Sequence, residues 1–184
     1  MALGYQEANL ILNNSSILYK ADEIESRIIK LASNVEKDLG ETVPVFLTVM
    51  NGGLFFAAEL LKRIKKPFLC DYIHASRYGD ATFGSTHITW YRQPKVENIV
   101  GRDVYVIDDI LDEGHTLNEV RRFLLTAGAN SCKIIVLIDK DLGKSKPIKA
   151  DYVGLTAPNR YLFGYGMDIH EVYRQLPEIY IYNN

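Results

Sequence analysis

The stretch Val104-Tyr105-Val106-Ile107-Asp108-Asp109-Ile110-Leu111-Asp112-Glu113-Gly114-His115-Thr116-Leu117 carries an apolar run into a set of acids, a glycine and a threonine. Val104 to Ile107 reads as a buried strand, and from Thr116 the apolar spacing turns helical through Val120, Phe123 and Leu124. The loop over residues 108–115 is therefore expected at the carboxyl end of a strand and the amino end of a helix, where open α/β sheets bind ligands. Unpaired N–H groups at a helix start, with the positive end of its dipole, attract phosphate, and Gly114 lets the backbone come close. Asp108, Asp109 and Asp112 can then bind sugar hydroxyls or a hard cation, or accept a proton.

Outward from this motif the chain alternates between strand and helix patterns. Residues 43–49 read as a core strand, Met50-Asn51-Gly52-Gly53 as a turn and residues 54–64 as a helix, which makes a βα unit. Before it, Asp22 followed by Glu25 resembles a helix start; Ile24, Ile28, Leu31, Val35 and Leu39 fall on one face, and Gly40 ends the run. Residues 68–75 form a second strand pattern, 77–85 a polar loop and 86–92 an alternating third strand. Residues 132–138 are almost wholly apolar, as in a parallel sheet covered on both faces, and 152–155 read as a further short strand. The tail from Ala157 is rich in tyrosine and glycine and does not read as another βα unit. The class predicted is α/β with a doubly wound, mainly parallel sheet.

A chain of 184 residues fits one domain with a small appendage. With 21 basic against 23 acidic residues, the net charge of -2 argues against nucleic acid or an anionic membrane as the main partner and favours small molecules. Cys70 and Cys132 are far apart in apolar sequence, so both are expected to be buried free thiols, as in a reducing cytosol. No signal-like amino terminus or membrane-length apolar run appears, so a soluble cytoplasmic protein is expected. His74, His87 and His170 lack metal-ligand spacing, and no zinc site is expected.

The acidic motif has competing readings. A merely solvated loop does not explain acids, glycine and threonine coinciding at a strand-to-helix junction. A phosphoacceptor receiver domain wants its acid pair after the first strand, whereas this pair comes past mid-chain. An isoprenoid synthase would carry Asp108, Asp109 and Asp112 on a helix, against the β-rich residues that precede them. The motif instead resembles the phosphoribosyl pyrophosphate signature of type I phosphoribosyltransferases. From about residue 15 to 175 the chain is similar to the hypoxanthine-guanine phosphoribosyltransferases, most of all the short bacterial ones. The segments that carry this likeness are Met50 to Phe56, Asp139-Lys140-Asp141, Lys149 to Gly154 and Arg160 to Asp168.

The resemblance implies the type I phosphoribosyltransferase fold: a mainly parallel twisted sheet flanked by helices, with a small hood of terminal segments. It implies a single domain over 1–184, with a core of about 20–156 and a hood from the amino-terminal segment and about 157–184. The reaction implied is transfer of the phosphoribosyl group to hypoxanthine or guanine, with Mg2+ bridging sugar hydroxyls and pyrophosphate. By resemblance Asp108 and Asp109 hold the ribose and the metal's water shell. Asp112 is the proposed general base, or a stabiliser of ring charge. The loop of Asp112, Glu113, Gly114, His115 and Thr116 holds the 5′-phosphate. Asn51, Gly52 and Arg174 take pyrophosphate, Asp168 and Asp109 attend the metal, and Lys140, Tyr161, Leu162 and Asp168 bind the purine. Arg77 and Tyr78 belong to the loop that closes over the site, and a cis peptide is implied at Met50-Asn51.

Several positions depart from the common family pattern. Asn51 stands where many relatives have lysine, Arg77 where many have serine and His115 where lysine is frequent. Glu113 stands at a frequent Thr or Ser, so its side chain is expected to turn outward while its N–H still donates. The alternatives carried are a xanthine-preferring enzyme and a non-catalytic phosphoribosyl pyrophosphate-binding regulator. Relatives form dimers and tetramers, so a homodimer or homotetramer is implied.

Overall fold

The computed structural model describes residues 3–76 and 88–183. Its elements in chain order begin with α1 (Tyr5–Asn13), β1 (Ser15–Tyr19), α2 (Ala21–Asp38), β2 (Val45–Met50), α3 (Leu54–Leu61), β3 (Leu69–Ser76) and β4 (Thr89–Arg92). They continue with β5 (Asp103–Leu111), α4 (His115–Thr126), β6 (Ser131–Asp141), β7 (Tyr152–Pro158), β8 (Leu162–Phe163) and β9 (Ile179–Tyr182).

One sheet runs in the order β4-β3-β2-β5-β6-β7, parallel except where β4 pairs antiparallel with β3. The chain winds from β2 outward through β3, then returns to place β5 on the other side of β2. That reversal opens a crevice at the carboxyl ends of β2 and β5. Helices α2 and α3 cover one face over Phe46, Tyr105 and Ile107, while α4 covers the other over Leu47, Val104 and Val106. Leu117, Val120 and Leu124 of α4 are each almost wholly buried; such side chains contribute about 1.5–3 kcal/mol apiece.

Helix α2 buries Ile24, Ile28, Leu31 and Val35 as expected from spacing, together with Ala32, and the buried Leu39 stands just past its end. Its start differs in detail: the Lys20 N–H donates to Glu23 Oε2 at 3.0 Å, so the helix start lies earlier than Asp22 and Glu25, and the Lys20 side chain offers no acceptor in return. A smaller antiparallel sheet, β1-β9-β8, joins the two ends of the chain. Ile11, Phe163 and Ile169 form a separate small core beneath it. This is the hood.

Two expectations are corrected here. Strand β5 does not stop at Ile107 but runs to Leu111, because its ladder with β6 continues through Asp108↔Val136 and Leu111↔Asp139. Backbone pairing, not apolar side chains, sets the length of a strand. The loop is therefore only Asp112 to Gly114, and α4 begins one residue early, at His115. Cys132 is buried as expected, but Cys70 is exposed. It shares a strand face with the exposed Tyr72, on a part of β3 that α3 leaves uncovered.

Candidate active site

Along the carboxyl ends of β2, β5 and β6 lies an open cleft of about 1320 Å³, closed on its far side by the segment from Asn159 to Arg174. The chain folds locally to put an acid at its centre. Asp109 is buried near the end of β5, and its own N–H donates to Asp108 Oδ1 at 3.0 Å. A Cβ on Gly52 would lie 2.7 Å from Asp109 Cγ, so only glycine lets the turn after β2 rest on this carboxylate. Gly166, at φ +105°, brings the hood loop against the Gly52 carbonyl and within reach of Asp109. Three segments distant in sequence thus meet at one aspartate. The peptide Met50-Asn51, at the end of β2, is cis.

Burial holds Asp108 well above the usual carboxylate range, and the negative charge of Asp109 adds to it. Asp109 is also raised by burial, against a hydrogen bond from Asp108 and the charge of Arg174. A pair of acids so placed carries negative charge that an arriving cation relieves.

Arg174 pairs with Asp168 Oδ1 at 2.6 Å and donates to the Gly166 carbonyl at 2.7 Å. The other Asp168 oxygen accepts the Glu171 N–H at 2.8 Å. In the same cleft Lys140 Nζ meets Asp112 Oδ2 at 2.9 Å, with the lysine side chain only 11% exposed. Gly114, also on the cleft, adopts φ +82° and opens α4 without a side-chain cap. The first N–H groups of that helix are placed for a ligand rather than a cap. Glu113 is exposed and lines the same cleft. Tyr161 is 53% exposed, its hydroxyl donating to the Asp168 carbonyl at 3.2 Å, beside buried Leu162.

The cleft brings together Asn51, Gly52, Asp108, Asp109, the loop 112–116, Lys140, Tyr161, Leu162, Asp168 and Arg174. Arg77 and Tyr78 lie outside the described residues. Other residues carry geometry to which the sequence reading gave no role. His74, the register partner of Met50, lines the cleft with its ring 4.8 Å from that of Tyr91. Gly166 sets the hood against Gly52, and Lys146 reaches both Leu111 and Asp139. Only the pairing register could have exposed His74, and no local signal marks Lys146.

The donor set suits a hard cation in one particular way. Among the described residues no group of three or more His, Cys, Asp or Glu side chains forms a metal cage. Asp109 and Asp168 nonetheless offer oxygen alone, and magnesium is characteristically held by one or two carboxylates with the rest of its shell from water and substrate phosphate.

A family model described as the phosphoribosyl transferase domain matches residues 14–170. This chain belongs to the phosphoribosyl transferase family. It is 34% identical over 163 residues to the hypoxanthine-guanine phosphoribosyltransferase of Bacillus subtilis, covering 89% of this chain and 90% of that protein. To the hypoxanthine-guanine-xanthine phosphoribosyltransferase of Tritrichomonas foetus it is 37% identical over 164 residues, covering 89% and 88%. The crystal structure of a hypoxanthine phosphoribosyltransferase from Staphylococcus aureus superposes with a TM-score of 0.86 at 29% identity, covering 94% of each chain. In this phosphoribosyl transferase the cleft at the sheet reversal is the active-site candidate.

Proposed function

We propose that the chain transfers the 5-phosphoribosyl group of phosphoribosyl pyrophosphate to hypoxanthine or guanine, giving IMP or GMP and pyrophosphate in purine salvage. One observation carries this reading. The half-buried Asp108 and the buried Asp109, backed by Gly52 and Arg174, share one cleft with the uncapped start of α4 and with the Lys140–Asp112 pair.

The 5′-phosphate sits on the N–H groups from Asp112 to Thr116, where the helix dipole and Gly114 favour an anion. The ribose hydroxyls bond to Asp108 and Asp109. Pyrophosphate lies between Asn51, Gly52 and Arg174, whose guanidinium is already held by Asp168 and the Gly166 carbonyl. Asp109 and Asp168 would hold magnesium, and the bound ion would supply charge that neutralises the departing oxygens. As the purine N9 attacks C1 of the ribose, the C1–O bond to pyrophosphate breaks and Asp112 takes the proton from N7. Asp112 must first leave its pair with Lys140. Lys140 then turns its donors to the 6-oxo group of the purine, while Tyr161 stacks on the ring. The carbonyls of Leu162 and Asp168 face the N1–H and the 2-amino group. Adenine presents an amino group to Lys140, a donor opposite a donor, and is disfavoured by orders of magnitude.

Xanthine is a second candidate base, because one relative of 37% identity bears xanthine in its name. The proposal extends to assembly as a homodimer or homotetramer and to a cytoplasmic location; no helix among the described residues is long and apolar enough to cross a membrane. The test is nucleotide formation from phosphoribosyl pyrophosphate and magnesium with hypoxanthine, guanine, xanthine and adenine in turn. Turnover with the first two and none with adenine is expected. No turnover with any base removes the enzyme reading, and dominant xanthine use overturns the base assignment.

A further inference from the structure

Lys146 lies on the connection between β6 and β7, outside every segment assigned to a substrate. Its side chain is only 11% exposed, yet its ammonium does not project toward solvent. Nζ donates to the Leu111 carbonyl at 2.7 Å and to Asp139 Oδ1 at 2.6 Å. Leu111 and Asp139 are register partners, the last such pair between β5 and β6. Each immediately precedes a residue of the site: Leu111 leads into Asp112, and Asp139 into Lys140. The same connection also packs on the phosphate loop directly. A Cβ on Gly114 would come within 3.0 Å of Ile148 Cγ2 and 3.7 Å of Lys146 Cβ. The floor beneath Gly114 is therefore the segment that Lys146 anchors.

We infer that Lys146 is a positioning residue that ties the ends of β5 and β6 together and so fixes the loop that receives the 5′-phosphate. The inference rests on the phosphoribosyl-transfer reading above. A strand that ends at Leu111 leaves its last carbonyl pointing past the ladder, and a buried ammonium satisfies it with a charge-assisted bond. The same charge pairs with Asp139, so one ammonium holds the ends of both strands. With two of its three protons committed to protein oxygens, Lys146 acts through the loop rather than as a phosphate ligand of its own.

The test compares Lys146→Met, Lys146→Arg, Asp139→Asn and the double variant Lys146→Met with Asp139→Asn, each checked for folding by circular dichroism. Positioning predicts a KM for phosphoribosyl pyrophosphate raised about tenfold in Lys146→Met, with kcat changed by less than about threefold, because a misplaced loop loses binding geometry before chemistry. Lys146→Arg, which keeps the charge, stays within about threefold of the parent, and the double variant is no worse than Lys146→Met alone, as for residues acting through one contact. A Lys146→Met enzyme with the parent KM overturns the inference, as does an arginine variant as impaired as the methionine one, or additive losses in the double variant. Should Lys146→Met fail to fold, Asp139→Asn decides: a raised KM supports the clamp and an unchanged one overturns it. These outcomes are read against an active parent, so inactivity of the parent with every base counts against the transfer reading and not against the clamp.

Discussion

Substituting Gly52 by alanine tests how tightly the turn after β2 rests on Asp109. The added Cβ would lie 2.7 Å from Asp109 Cγ and 2.9 Å from its Oδ1, inside the closest approach of real carbon contacts. The carboxylate cannot simply swing aside. Asp109 is buried, Gly166 stands 3.5 Å from Asp109 Cβ by the same measure, and the turn is held by the Gly53 N–H bond to the Val49 carbonyl at 2.9 Å. Overpacking of this kind costs about 1–3 kcal/mol, which for a chain of this size lowers Tm by about 2–12 °C. If Asp109 moves by an ångström, kcat/KM for phosphoribosyl pyrophosphate falls by about 10- to 100-fold. The control is Gly40→Ala, where an added Cβ meets nothing within 4 Å; it is expected to be neutral or more stable by about 0.4–1 kcal/mol through the unfolded chain. Calorimetry and initial rates measure both quantities. A Gly52→Ala protein with the Tm and kcat/KM of the parent refutes the close approach described for this turn.

Lys140→Ala is expected to narrow the preference for 6-oxo over 6-amino purines, measured as the ratio of kcat/KM for hypoxanthine and adenine; an unchanged ratio removes Lys140 from base recognition. In the native protein a thiol reagent should label Cys70, which is exposed, while Cys132 reacts only after denaturation, since burial pushes its thiol up to about 12. Labelling of Cys132 at the rate of Cys70 contradicts the burial described. Asp71 is raised by burial but lowered more by the N–H groups of Tyr72 and Lys95 and by Arg92 at 2.7 Å, and the net shift is downward. Its stabilisation is thus present above the unfolded aspartate value of about 3.9 and is lost as pH falls through the lower folded value. Asp71→Asn is expected to cost about 1–3 kcal/mol at pH 7, with the gap closing in acid; a gap independent of pH contradicts the charged role.

How far the fold was legible in the sequence follows from the range of each signal. The helical spacing through Val120, Phe123 and Leu124 marks the packed side of α4, with Phe123 partly buried, and Ile24, Ile28, Leu31 and Val35 mark that of α2, because helical spacing is local. The motif lies at the carboxyl end of β5, as its pattern implies, yet Asp108 and Asp109, which read as loop, belong to the strand. Apolarity ends at Ile107, while the hydrogen-bond ladder with β6 does not. The exposed Cys70 depends on which part of the sheet a helix covers, and no neighbouring residue encodes that. Strand β1 was invisible for a related reason: Ser15 to Tyr19 become a strand only by pairing with β9 at the other end of the chain.

The same contrast holds in the site. The acids of the motif line the cleft, and from the hood segment so do Tyr161, Leu162, Asp168 and Arg174. What no sequence pattern contains is how those side chains engage one another. Asp112 meets Lys140, Arg174 meets Asp168, and Gly166 lies on Gly52, and all of these are contacts between segments brought together only by folding.

The division of labour within the acidic segment is tested most directly by Asp112→Asn. The amide keeps the shape and can still accept the bond from Lys140 now seen at 2.9 Å, but it cannot take a proton. Turnover with hypoxanthine should fall by about 10²-fold or more, while the Kd for phosphoribosyl pyrophosphate with magnesium, measured by calorimetry, stays within about threefold of the parent, since the backbone of the loop is untouched. Turnover equal to that of the parent would contradict an essential proton-transfer role for Asp112.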